Sequence, residues 1–158
     1  MNEIDTKYQR ILHELTIFLK DVTDRDSALA HVCSTLKKEI DHYDWVGFYL
    51  VDAHDNQILN LGPFAGATTE HIRIPFGRGI CGQAAEKRRT IVVQDVTEES
   101  NYLSCSPIVK SELVVPIFKN NDVIGELDID SHKKAPFTTA DQEFAERLCR
   151  LLADHLFP

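Results

Sequence analysis

The stretch Glu112-Leu113-Val114-Val115-Pro116-Ile117-Phe118-Lys119-Asn120-Asn121-Asp122-Val123-Ile124-Gly125-Glu126-Leu127-Asp128-Ile129-Asp130 reads as two strands joined by a tight turn. β-Branched and other apolar residues fill both arms, and residues 119–122 are turn chemistry. Strands joined this closely pair antiparallel. Side chains along a strand alternate between faces. In the second arm the odd positions, Val123, Gly125, Leu127 and Ile129, form an apolar face suited to helices. The even positions put Glu126, Asp128 and Asp130 on the other face, with Glu112 on the neighbouring strand. One reading of that acidic face is a half-solvated sheet, polar side out. The other requires loops to cover it. Carboxyls held together under cover raise one another's pKa and suit an ammonium ligand or a proton donation to oxygen.

Outward from this hairpin the pattern is helix, helix, strands, helix. Tyr8, Ile11, Leu12, Leu15 and Leu19 form one stripe of an amphipathic helix over about residues 5–20. A second helix starts near Asp24 or Asp26 and carries Leu29, Val32, Cys33, Leu36 and Ile40 on one face. Residues 45–51 form a strand, and residues 57–61 return antiparallel and stop at Gly62-Pro63. Residues 71–74 and 90–93 are short strands, with a short helix over 79–87 between them. Thr138-x-x-Asp141 opens a final helix whose Phe144, Leu148, Leu151, Leu152 and His155 share a face. The fold class is α+β: one domain over residues 1–158, an antiparallel sheet with the terminal helices on one face and a ligand pocket on the other.

The length of 158 residues suits one domain, and 43% hydrophobic with 27% charged residues suits a globular one. The net charge of −8 argues against nucleic acid and anionic membrane as partners. No apolar stretch approaches the roughly 20 residues of a membrane span. The N-terminal residues have no cationic start followed by an apolar stretch, so no signal peptide is expected and the cytoplasm is the default compartment. There is no dinucleotide fingerprint, no G-x-S-x-G elbow and no zinc-type spacing of histidines or cysteines, so neither cofactor nor metal is expected.

Four cysteines remain to be placed. Cys33 and Cys149 lie at helical core spacing and read as buried apolar residues. Cys81, in Gly79-Ile80-Cys81-Gly82, and Cys105, in a polar loop, are the candidates for chemistry. Trp45 and Tyr49 share a face with Gly47 between them, either as core or as the wall of a small pocket.

Five stretches together carry a family resemblance. They are Trp45-Val46-Gly47-Phe48-Tyr49-Leu50, Leu61-Gly62-Pro63-Phe64, residues 73–82, Ser111-Glu112-Leu113-Val114-Val115-Pro116-Ile117 and Leu127-Asp128-Ile129-Asp130-Ser131. The chain resembles a single GAF domain, and more narrowly the free methionine-(R)-sulfoxide reductases. The resemblance implies Cys105 as nucleophile, Cys81 as resolving thiol, and a substrate pocket holding Glu112, Asp128 and Asp130; Trp45 and Tyr49, by their shared strand face, are the candidate wall and floor of that pocket. It also implies free methionine sulfoxide as substrate, and thioredoxin or a similar dithiol as reductant of a disulfide. Three departures stand out. The family's third cysteine is missing from residues 65–72, where His71 lies; the family's histidine-rich G-H-I-A-C-D loop is here Asn101-Tyr102-Leu103-Ser104-Cys105-Ser106; and Glu126 is an acid where a small apolar residue is usual. The alternative is a non-catalytic GAF module that binds a small molecule or senses redox state. A homodimer through the apolar stripes of the terminal helices is a further expectation.

Overall fold

Asn2 starts the first helix by accepting a hydrogen bond from Asp5 N at 2.8 Å, and α1 runs Glu3–Leu19. Asp24 caps α2 (Arg25–Glu39) by accepting from Ser27 N at 3.0 Å. The structure, a computed structural model, describes residues 2–104 and 106–158. After the two helices come β1 (Trp45–Val51), β2 (Ile58–Ala65), β3 (Arg73–Pro75), α3 (Gly79–Lys87), β4 (Ile91–Val93), β5 (Ser111–Lys119), β6 (Asp122–Ser131) and α4 (Thr139–Leu156). The strands make one sheet in the order β3-β2-β1-β6-β5-β4, each neighbour antiparallel. Asn120 and Asn121, at φ 50° and 69°, turn β5 into β6, a backbone conformation asparagine tolerates.

Two apolar clusters sandwich the sheet. On one face the stripes of α1, α2 and α4 pack on Val46, Phe48, Leu113, Val115, Ile117, Leu127 and Ile129. On the other, Ile80, Cys81, Ala84 and Ala85 of α3 pack with Trp45, Tyr49, Leu59, Ile74 and Val114. The terminal helices therefore do share one face of the sheet, and α3 covers the opposite one.

Three local readings change. β2 runs through Gly62-Pro63, because the β1–β2 register shifts between Gly47 and Tyr49 and accommodates the extra residue as a bulge. A second shift, at Ile117/Phe118, inverts the alternation at the start of β6: Ile124 packs towards the helices and Val123 towards α3. On α4, His155 is exposed, and the buried face is Phe144, Ala145, Leu148, Cys149, Leu152, Ala153 and Leu156. The stripes of α1 and α4 are buried within this one chain, so they are not free to form a dimer surface.

Asp141 knots the helical layer together. Its Oδ1 accepts from Tyr8 Oη at 2.6 Å, Tyr43 Oη at 2.8 Å and His42 Nε2 at 2.8 Å, while Oδ2 accepts from Thr138 N at 2.8 Å. Burial pushes this carboxyl up, but the hydrogen bonds from His42, Tyr8 and Thr138 outweigh it and hold the pKa at about 2. That lies below the roughly 3.9 of an unfolded aspartate. The stabilisation is therefore complete above about pH 4 and lost as pH falls through the folded value. Asp141→Asn turns an acceptor into a donor facing donors. It should cost about 2–3 kcal/mol at pH 7 and much less near pH 2, as read by urea unfolding at both pH values.

Candidate active site

Three central strands set out the site as a grid on the α3 side of the sheet. Register puts Trp45 and Glu112 on either side of Asp130, Gly47 and Val114 on either side of Asp128, and Tyr49 and Pro116 on either side of Glu126. Glu112, Glu126, Asp128 and Asp130 are all buried, at 6%, 0%, 3% and 3% exposure. The half-solvated reading of this face is thus excluded. Gly47 is required in the middle of the grid: a Cβ there would lie 2.3 Å from Cη2 of Trp45, whose ring occupies that space. Trp45 also stacks on Phe64 at 5.5 Å and donates from Nε1 to Ala67 O at 2.9 Å, so its ring is fixed.

Cys81 enters this face from the first turn of α3. Its Sγ lies 3.8 Å from Oε2 of Glu112, and Sγ and one carboxylate oxygen each of Glu112 and Asp128 all lie within 4.8 Å of one another. A helix N-terminus ordinarily lowers a thiol's pKa. Here burial raises it well above the usual cysteine value, and the surrounding Asp128, Glu126, Glu112 and Asp130 raise it further. Cys81 is therefore a protonated thiol at neutral pH.

Glu126, Asp128 and Asp130 shift the same way. Burial raises Asp128, against hydrogen bonds with Glu112 and Cys81. Two carboxyls this close and this buried disfavour charge on both at once. Burial and then the charge of Asp128 push Asp130 well above the ordinary value. Glu126 is raised by burial first and Asp128 second, with a smaller opposing effect from Cys81, and among the described residues neither of its oxygens meets a partner at hydrogen-bond distance and angle. The cluster is a store of protons in a low-dielectric pocket. Its thiol and two carboxylates have the donor types and spacing to ligate a metal ion once deprotonated.

Two cavities flank the cluster. The smaller, about 20 Å³, is lined by Tyr49, His71, Cys81, Leu103, Glu112 and Asp128 among others. That is room for about one water molecule. Tyr49 reaches across it to donate from Oη to His71 O at 2.8 Å. The larger, about 280 Å³, is lined by Trp45, Asp130, Ala67, Ser106, Ile108 and His132 among others.

The structure thus brings together Cys81, Glu112, Asp128 and Tyr49, and sets Trp45 with Asp130 in the adjoining cavity. Cys105 lies outside the described residues. Leu103, His71 as a wall residue, and the buried state of Glu126 were not anticipated. Each depends on contacts between segments far apart in sequence, and no local pattern signals them.

A GAF-domain family profile matches residues 22–156. The chain belongs to the GAF-domain family. GAF domain-containing protein A of Dictyostelium discoideum is 34% identical over 148 residues, 94% of this chain and 91% of that protein. The free methionine-R-sulfoxide reductase of Saccharomyces cerevisiae is 35% identical over 133 residues, 84% of this chain and 72% of that one. The X-ray structure of free methionine-R-sulfoxide reductase from Neisseria meningitidis in complex with its substrate superposes with a TM-score of 0.91 at 37% identity, covering 98% of this GAF chain and 91% of that chain. No helix among the described residues is long and apolar enough to cross a membrane.

Proposed function

We propose that this GAF domain reduces free L-methionine-(R)-sulfoxide to methionine, with Cys105 as nucleophile and Cys81 as resolving thiol. The observation that carries the reading is the placing of the buried Glu112 and Asp128 carboxyls within 4.8 Å of the Cys81 thiol. It supplies what sulfoxide reduction needs: a proton donor out of water beside a cysteine. Similarity to reductases of that substrate supports it.

In this reading the Cys105 thiolate attacks the sulfoxide sulfur as a carboxyl of the Glu112–Asp128 pair protonates the oxygen. Thiolate, sulfoxide and one proton give methionine and a Cys105 sulfenic acid. The Cys81 thiol displaces water from that sulfenic acid, leaving a Cys81–Cys105 disulfide. Glu112, 3.8 Å from Sγ, is placed to take the thiol proton. Thioredoxin or a similar cytoplasmic dithiol then reduces the disulfide by exchange. Asp130 beside the fixed Trp45 ring suits the ammonium end of the amino acid. No cofactor enters this scheme. Residues 1–158 act as one domain, because α1, ahead of the matched residues, contributes Tyr8, Ile11 and Leu15 to the common core.

The test is methionine release from each sulfoxide epimer, supplied as the free amino acid, with thioredoxin, its reductase and NADPH. Repeated turnover of the R epimer is expected. Binding without release would assign the chain to the non-catalytic modules instead.

A further inference from the structure

Asn101 has no part in the chemistry above, yet it joins the two cysteine-bearing segments. Its Oδ1 accepts from Gly79 N at 2.8 Å and its Nδ2 donates to Gly77 O at 2.8 Å. Its carbonyl accepts from Gln83 Nε2 at 2.9 Å. The residue at the capping position of α3, Arg78, makes no side-chain capping bond. Asn101 therefore caps that helix from a loop remote in sequence, satisfying one of the N–H groups that a first helical turn leaves without an intrahelical partner. Gly79, at φ 67°, permits the approach, since a Cβ there would lie 2.8 Å from Cγ of Leu103. Ser104 O lies 2.9 Å from His71 Nε2. Anchors at 101, 103 and 104 thus end on the residue immediately before Cys105.

We propose that Asn101 is a positioning residue for the resolving step: it ties the chain leading into Cys105 to the turn that begins the helix bearing Cys81, and so sets how fast the two sulfurs join. Its part in turnover rests on the reductase reading. A disulfide tolerates a Cα–Cα separation of only about 4.4–6.8 Å, so reaction waits on the fraction of time the two segments are held in register. Removing both side-chain hydrogen bonds of Asn101 lowers that fraction by about tenfold.

The experiment uses hydrogen peroxide as well as the sulfoxide, so that it does not depend on the substrate. Peroxide oxidises the Cys105 thiol to a sulfenic acid with loss of water, and Cys81 then closes the disulfide with loss of a second water. Peptide mapping follows Cys81–Cys105 formation, and dimedone traps the sulfenic acid. Asn101→Ala should close the disulfide at least about tenfold more slowly than wild type and accumulate dimedone adduct. Asn101→Asp, which keeps the acceptor and loses the donor, should fall between. Gln83→Leu, which removes only one outer hydrogen bond, should slow closure about two- to threefold. With methionine-(R)-sulfoxide, the first methionine should still appear in Asn101→Ala at a rate within about twofold of wild type, while thioredoxin-linked turnover falls.

Closure in Asn101→Ala at the wild-type rate overturns the proposal. So does a parallel loss of first release and closure, which assigns Asn101 to general folding, and so does a wild type that forms no such disulfide. A wild type that closes the disulfide with peroxide but releases no methionine removes the reductase reading and leaves the clasp standing.

Discussion

Cys105→Ser is expected to release no methionine from free methionine-(R)-sulfoxide, either in a single turnover or with any reductant. A serine hydroxyl is not ionised at neutral pH and is a poor nucleophile toward sulfur. Cys81 cannot take over, because burial and its four carboxyl neighbours keep it protonated. Cys81→Ser should instead release about one methionine per chain without reductant, since in the proposed mechanism the first attack does not use Cys81. Its turnover with thioredoxin should collapse, while a small thiol that reaches the sulfenic acid directly should restore part of it. Cys33→Ser and Cys149→Ser should change stability only. Burial pushes the Cys33 thiol up to about 12, and its Sγ donates to Pro63 O at 3.5 Å, as an inert core thiol would. The measurement is methionine release by all four variants in single-turnover and recycling conditions. Wild-type activity in Cys105→Ser would remove the mechanism.

Asp128→Asn is expected to lower the rate of first methionine release by about a hundredfold or more, the usual loss on removing a catalytic acid. The amide could still fill the space between Gly47 and Val114, but it could not donate an acidic proton. Asp130→Asn should act mainly through binding, raising KM, because it lines the wider cavity with Trp45. Glu126→Gln should change the rate far less and raise stability at neutral pH. The sign follows from its raised folded pKa: the unfolded chain loses the proton first, so stability falls as pH climbs above the ordinary glutamate value of about 4.3. Rapid-quench release and thermal unfolding at pH 5 and pH 8 separate these effects. Equal release by Asp128→Asn and wild type would show that the pair supplies no proton.

Much of this molecule was legible locally. The stripe Tyr8, Ile11, Leu12, Leu15 and Leu19 is the buried face of α1, and Thr138 with Asp141 does form a capping box. Periodicity and capping are properties of neighbouring residues, so a linear sequence displays them. The same holds for the shared face of Glu126, Asp128 and Asp130, which follows from strand parity alone. Parity could not say whether that face met water or protein. That was decided by α3 lying across the sheet, which buries all three acids and raises their pKa values. Nor could it reveal the bulges at Gly62-Pro63 and Ile124, because a bulge is a mismatch between two strands and is visible in neither alone. The protonated state of Cys81 and the grip of Asn101 on Gly77 and Gly79 are of the same kind. Both arise from desolvation and hydrogen bonding between segments some twenty or more residues apart, which only the folded chain brings into contact.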